Sequence, residues 1–345
     1  MYKLTTTKDK KIALVDMLTE QNTIFSNITE KTIEKYKKQW KKVLFIANKK
    51  WYNTSHLCTD CWYIPKCHNC DIPIWKYAFP KNNNFVYICP ICRRVYNKII
   101  PCNNCWSSNI KEVWLGAHKL KEFLQKKFNI KPLVIENTDI NRVTKIKKVK
   151  EKLQNTQFVV STPIFSFPCN DFIPDIVIFL NADWWLTIPD FNTKEKHFLF
   201  LYEFINNYPT KNFIIQTFNF EHYVYKYLVN LDLEGFWKQE LSFRKEFNYP
   251  PYTEIAVLIY KNQIEEKVYS RVSKLESELK YLAEKLNPTV EIYPIPQLIF
   301  KKFWKYHYNI ILKWKDLKPF LDKAVKLLKL KENHFQIDWL PTNLI

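Results

Sequence analysis

The 345-residue, 41.9-kDa chain is long enough for two or three domains, and with 47% hydrophobic and 25% charged residues it can bury ordinary cores, which excludes a disordered protein. It has 2 glycines, Gly116 and Gly235, where average usage predicts about 24, so neither G-x-x-x-x-G-K-[ST] nor G-x-G-x-x-G occurs in it. Its 53 basic residues (48 Lys and five Arg) against 34 acidic ones give a net charge of +19. That balance favours polyanionic partners through counterion release, although a lysine excess also follows from an AT-rich coding sequence and suits a merely solvated basic surface.

In chain order, MYKLTTTKDKKIALVDM lacks the apolar run of a secretory leader. No stretch reaches the 18 or so apolar residues of a membrane span. The expectation is a cytoplasmic protein with no membrane partner. A basic helix over 31–42 leads into a strand at 43–47, then a cysteine-rich insert follows over 56–106. Helices at 118–128, 142–153 and 194–206 then alternate with strands at 133–136, 158–160, 176–180 and 213–217. Such alternation predicts a parallel sheet covered on both faces. A second unit begins near Gly235, with a helix over 236–247 stopped by Pro250-Pro251. Strand 255–260, helix 264–286, strands 290–293 and 308–313, helix 317–330 and strand 335–339 complete a β-α-β-β-α-β order, that of a small α+β domain.

Eight of the nine cysteines form four C-x-x-C pairs: Cys58/Cys61, Cys67/Cys70, Cys89/Cys92 and Cys102/Cys105. Two intervening residues let both thiolates of a pair face one ion, and two such knuckles make a tetrahedral zinc site of four thiolates. Four knuckles predict two structural Zn2+ ions. The alternatives are disulfides, iron–sulfur chemistry, or a redox C-x-x-C, which normally occurs once, at a helix start. Spacing alone allows three pairings of the knuckles. Cys169 stands alone and reads as a buried small residue.

Order, spacing and flanks together resemble the primosomal protein N′ (PriA) family of replication-restart helicases. VLFIANKKWYNTSHLCTDCWYIPKCHNCDIPI resembles that family's entry into its zinc insert, and VYICPICRRVYNKIIPCNNCWSSNIKEVWLGAHKLKEFLQKKF its exit. NADWWLTIPDF, FWKQELSFRKEFNYPPYTEIAVLI, FKKFWKYHYNIILK and QIDWLPTNLI resemble later segments, so the likeness runs from about Lys11 to the end. The resemblance implies an α/β fold: a RecA-like second helicase lobe interrupted by the two-zinc cysteine-rich insert, then a small α+β C-terminal domain. Its implied boundaries are 1–55 for the start of the lobe, 56–108 for the insert, 109–233 for the rest of the lobe and 234–345 for the C-terminal domain. It also implies nested metal sites. Cys58, Cys61, Cys102 and Cys105 would hold one zinc, and Cys67, Cys70, Cys89 and Cys92 the other.

The departures concern ATP. The first helicase lobe, with its Walker boxes, and the N-terminal DNA-binding domain have no counterpart in the sequence. The family's glycine–threonine–glutamine motif reads Ser161-Thr162-Pro163-Ile164 here, with no lysine before Lys194. Its Q-x-x-G-R-x-G-R motif reads LYEFINNYPTKNF, with no arginine between Arg142 and Arg244. No ATP site is expected from this chain alone, and no catalytic residue is assigned.

The first reading is therefore a PriA-like protein of primosome assembly, binding branched or single-stranded DNA together with primosome proteins and single-stranded DNA-binding protein. The DNA candidates are Lys301, Lys302, Trp304, Lys305 and His307, where basic and aromatic residues interleave, and Arg93 and Arg94 in the insert. The plain alternative for the first group is a lysine-bearing edge strand. The other functional readings are the C-terminal part of a split or truncated ATP-dependent helicase, and a zinc-stabilised interaction scaffold.

One compositional feature stands apart: 12 Trp against 2 Gly. Trp62 and Trp106 directly follow the second cysteine of a knuckle, where many knuckles need a left-handed residue. Where Trp51, Trp62, Trp106, Trp114 and Trp304 stand, the resembled family usually has glycine, and Trp40, Trp314 and one of Trp184/Trp185 also fall in turn-like contexts. The pattern is that of UGA codons read as glycine in life; a genuine aromatic surface is the alternative.

Overall fold

The structure is a computed structural model that describes residues 2–20, 24–47, 56–58, 60–61, 63, 65–68, 74–78, 85–89, 94–96, 101–102, 104–112, 117–135, 143–162, 172–183, 186 and 190–342. Its largest sheet has seven strands. Six run parallel, in the order β2 (Lys10–Asp16), β12 (Asn212–Thr217), β11 (Ile176–Phe179), β3 (Val43–Ile46), β10 (Phe158–Ser161) and β9 (Leu133–Ile135). Strand β1 (Tyr2–Thr7) pairs antiparallel on the outside of β2. The mixed α/β, parallel-rich architecture expected from the alternation is present.

The central strands carry apolar side chains on both faces, as a doubly covered sheet requires. On one face Leu44, Ile46, Val177, Phe179, Phe213 and Ile215 pack with Val149 and Leu153 of α3 (Val143–Gln154) and with Phe198, Leu201 and Phe204 of α4 (Thr193–Asn207). Residues of α5 (Tyr223–Leu228) and α6 (Leu233–Glu246) extend that core. On the other face Val43, Phe45, Phe158, Val160, Ile176 and Ile178 pack with Ile33 of α1 (Asn27–Lys38) and Leu120 and Leu124 of α2 (Ala117–Phe128). Helices α1 to α4 each lie between two strands in sequence, so the crossovers deliver helices to both faces.

The insert leaves the sheet after β3 and returns before α2. It contains a two-stranded ladder, β4 (His56–Cys58) with β8 (Ile110–Glu112), and a three-stranded meander of β5 (Trp75–Ala78), β6 (Phe85–Ile88) and β7 (Val95–Tyr96). The C-terminal part is a four-stranded antiparallel sheet in the order β14 (Glu291–Lys302), β15 (Lys305–Trp314), β13 (Glu254–Asn262) and β16 (Gln336–Trp339). Helices α7 (Glu265–Leu286) and α8 (Lys318–Leu327) bury Val272, Leu275, Leu279, Phe320 and Leu321 against one of its faces. The observed order β13-α7-β14-β15-α8-β16 is the β-α-β-β-α-β order expected. Trp314 corrects one expectation: it ends β15, paired with Glu254, and does not lie in a turn.

Candidate metal centre and basic hairpin

The four-cysteine cluster is built by antiparallel pairing of distant segments. Strands β4 and β8 pair with Cys58 opposite Ile110, which brings the knuckle at 58–61 beside the one at 102–105. In each of these two knuckles the first cysteine's N–H bonds a carbonyl five residues on, Cys58 to Tyr63 at 2.9 Å and Cys102 to Ser107 at 2.8 Å. The same closure recurs from Cys89 to Arg94 at 2.9 Å. The Asp60 carboxylate braces the two knuckles against each other, accepting from Ser107 Oγ at 2.5 Å and from Asn109 Nδ2 at 3.0 Å.

The ligand atoms of Cys58, Cys61, Cys102 and Cys105 all lie within 4.8 Å of one another. Cys58 Sγ is 3.5 Å from Cys105 Sγ, and Cys61 Sγ is 3.7 Å from Cys102 Sγ. A metal–sulfur bond of about 2.3 Å gives a tetrahedral sulfur–sulfur edge of about 3.8 Å, whereas a disulfide would need about 2.0 Å. The donor set and its spacing therefore fit one divalent metal ion. As free thiols these groups share protons. A hydrogen bond with Asn104 leads in lowering Cys61 to about 6. At Cys105 the Ser107 backbone acts downward, but hydrogen bonds with the other thiols, and burial, push it up to about 12. The opposite shifts are two sides of one proton, and a cation at the centre favours the thiolate at all four positions.

Of the other four cysteines, Cys67 and Cys89 are buried together with Ile74, against Tyr87 and Tyr96. Cys70 and Cys92 lie outside the described residues, as do Arg93, Cys169 and Trp62. A group that the sequence did not single out sits here: the Tyr96 hydroxyl donates to Cys67 Sγ at 3.0 Å and accepts from the His68 N–H at 3.1 Å. No spacing rule marks such a tyrosine.

The remaining candidates gather at the tip of the β14–β15 hairpin. Lys302 pairs with Lys305 across the turn, and Lys301 with Tyr306. Lys305 is exposed, Lys301 and Lys302 are half-buried, and Trp304 is 55% exposed. Arg94 of the insert reaches this tip, its guanidinium 5.9 Å from the Trp304 ring centre. The insert and the C-terminal sheet thus contribute to one basic surface. His307 faces Lys261 on β13. Burial leads in lowering its pKa, and the Lys261, Lys302 and Lys305 charges act the same way against a raising backbone hydrogen bond, so it is neutral at neutral pH.

At the carboxyl ends of β11 and β12, part of the edge where open α/β sheets place ligands, the chain's own polar groups engage one another. Asp183 accepts from Thr217 Oγ1 at 2.5 Å, the Phe218 N–H at 2.6 Å and the Tyr225 hydroxyl at 2.7 Å. Gln216 is satisfied by Ser26, Thr29, Ile24 and Leu180. The segment LYEFINNYPTKNF is the end of α4 and a short turn into β12, with Lys10 Nζ donating to the Tyr208 and Thr210 carbonyls at 2.5 and 2.9 Å. Arg244 is held by Glu195 at 2.5 Å and Glu240 at 2.9 Å. A cavity of about 720 Å3 lies where α4 and α6 meet the C-terminal sheet, and Lys194 and Lys313 in its wall are offset by Asp190, Glu246 and Glu291.

No protein-family profile matches the chain. Individual relatives do. The replication restart protein PriA of Borreliella burgdorferi is 27% identical, over 99% of this chain and 52% of its own length. The Bacillus subtilis PriA is 26% identical over 96% of this chain and 43% of its own length. The Thermotoga maritima PriA is 23% identical over 92% and 43%. The chain is similar to PriA along nearly its whole length. It spans about half the length of the PriA relatives it matches, as a C-terminal half would. Among the described residues no helix is long and apolar enough to cross a membrane.

Proposed function

We propose that the chain is a PriA-like, DNA-binding protein of replication restart, stabilised by zinc and without ATPase or helicase activity of its own. The observation that carries this reading is the similarity to PriA over 99% of the chain. The parallel-rich sheet would be a RecA-like second lobe over 1–55 and 109–233, with the zinc insert at 56–108 and the C-terminal domain at 234–345. Cys58, Cys61, Cys102 and Cys105 would hold one structural zinc. Cys67, Cys70, Cys89 and Cys92 would hold a second. Zinc would neutralise packed thiolates and tie together an insert whose buried cluster, among the described residues, is Cys67, Ile74 and Cys89.

Lys301, Lys302, Lys305 and Arg94 would grip DNA phosphates at the hairpin tip. The reading LYEFINNYPTKNF where the resembled lobe has its Q-x-x-G-R-x-G-R motif, and the engagement of Arg244 by two carboxylates, support a lobe that does not hydrolyse ATP. The decisive experiment is fluorescence anisotropy of the zinc-loaded chain with a forked DNA, an equal-length duplex and a single strand, over a salt series. Tighter binding to the fork or single strand, weakening steeply with salt, is expected. Absence of salt-dependent DNA binding by the folded chain would leave a zinc-stabilised partner-binding scaffold.

The length match favours one second reading. A chain spanning about half of its relatives could complete a helicase whose Walker lobe lies elsewhere. Mixing it with a PriA first lobe and measuring ATP-dependent unwinding tests this: unwinding by the mixture alone would establish it.

A further inference from the structure

The tryptophans hold a second message. Among the described residues twelve non-glycine residues have positive φ, and no glycine does. Three of the twelve are tryptophan: Trp40 (φ 54°), Trp106 (φ 60°) and Trp304 (φ 62°). Positive φ crowds the Cβ of any L-residue, and bulky side chains are genuine outliers there.

Each of the three occupies a position with its own stereochemical demand for glycine. Helix α1 ends in a Schellman motif, in which the Trp40 N–H bonds the Lys37 carbonyl and the Lys41 N–H bonds the Tyr36 carbonyl. Glycine is the usual residue at that step, and asparagine the usual substitute. Two other helix ends in this chain show the substitute: Asn248 after α6, at φ 52°, has the same paired bonds, and Asn129 after α2, at φ 51°, closes one residue wider, its N–H bonding the Gln125 carbonyl and the Ile130 N–H the Leu124 carbonyl. Trp106 closes the knuckle at 102–105, its N–H bonding the Cys102 carbonyl at 2.9 Å. Phe303 and Trp304 form the two-residue turn between β14 and β15, both with positive φ. Such turns favour Asn-Gly, with glycine at the second place.

The rings are largely exposed, and Trp304 meets the cations of Arg94 and Lys301 at 5.9 and 5.7 Å from its ring centre. Trp40 is 83% exposed, Trp106 78% and Trp304 55%. By contrast Trp237 lies within α6, half-buried against Phe236 at 5.7 Å. Trp339 lies in β16 and packs on the C-terminal core.

We infer that the ribosome places glycine at positions 40, 106 and 304, reading UGA codons there, while Trp237 and Trp339 are true tryptophans. The native hairpin tip then carries no indole. Arg94 faces solvent instead of a ring, and the surface holds DNA by charge without base stacking at 304.

The test does not use DNA, so it stands or falls apart from the restart reading. Peptide mass spectrometry of the protein from its own cells is expected to give glycine masses at 40, 106 and 304 and tryptophan masses at 237 and 339. A tryptophan mass, or a UGG codon, at any of the first three overturns the inference. Recombinant chain provides the second arm. A variant combining Trp40→Gly, Trp106→Gly and Trp304→Gly is expected to melt a few degrees above the tryptophan form. A lower melting temperature contradicts the strain on which the inference rests.

Discussion

Single side chains fix how two of the polar clusters of this molecule behave. His197 is fully buried, and its Nε2 lies 3.2 Å from the Tyr225 hydroxyl. Tyr225 gives its one proton to Asp183, so Nε2 of His197 carries a proton and donates to Tyr225. Burial first, and the His222 charge second, lower the pKa of His197 to about 3. The folded state therefore holds it neutral, while the unfolded chain titrates near 6.5. Its contribution to stability is complete above that value and is lost as pH falls from about 6.5 toward about 3, at about 1.4 kcal/mol per pH unit. Urea unfolding of the chain and of His197→Phe at pH 7.5, 6 and 5 checks this: the advantage of the native histidine should shrink as pH drops, and a constant difference would refute it. Tyr96 acts at the other of these clusters. If the proposed second site of Cys67, Cys70, Cys89 and Cys92 holds zinc and Tyr96 positions its Cys67 ligand, Tyr96→Phe should release that zinc about tenfold faster and leave release from Cys58, Cys61, Cys102 and Cys105 unchanged, as read by a chromogenic chelator. Equal rates at both sites would make the tyrosine a packing residue only.

At the scale of elements, the β14–β15 hairpin carries the sharpest prediction. Replacing Lys301, Lys302 and Lys305 by alanine should flatten the slope of log affinity for single-stranded DNA against log salt by about 2, since each lost phosphate contact removes about 0.7. An unchanged slope would put the DNA elsewhere. The hairpin also shows where sequence reading runs out. Periodicity marked a strand only at 290–293, because Pro294 and Pro296 look like breakers. Yet β14 runs to Lys302, with Pro294 opposite Ile310 and Pro296 opposite Tyr308. It is an edge strand, where a missing N–H can face away from the ladder. Strands β1 and β2 went unread because their turn is Lys8-Asp9, both at positive φ, with no glycine to announce it. Helix α5 has six residues, too few to display a 3.6-residue period. The long helices and buried strands were legible, to within about three residues except at α1, since burial on fixed faces writes itself into the spacing of apolar residues. The knuckles were legible for a similar reason, as C-x-x-C is a local geometric requirement. Which knuckles meet is decided by the β4–β8 ladder, and no local spacing carries that.

At the scale of the whole molecule, the described residues form three large cores and two small clusters, and these differ in what they contribute to folding. The two faces of the seven-stranded sheet and the helical face of the C-terminal sheet each bury many large apolar side chains. Among its described residues the insert buries Cys67, Ile74 and Cys89 in its own cluster, and an apolar nucleus of that size does not by itself offset the chain entropy of a segment that long. On the reading proposed above its order comes from metal ligation, and the main cores contain none of its described residues. Removing zinc with a strong chelator at neutral pH should therefore melt the insert and spare the rest. Amide exchange should become fast across β4 to β8 and remain slow in β3, β11, β12 and β13. DNA affinity should fall in the same titration, because Arg94 is placed at the hairpin tip by the folded insert. Cys58→Ser with Cys102→Ser should reproduce the exchange pattern without a chelator. Global unfolding on chelation would mean that the insert is part of the sheet's cooperative unit; slow exchange throughout would mean that hydrogen bonds and packing hold the knuckles without an ion.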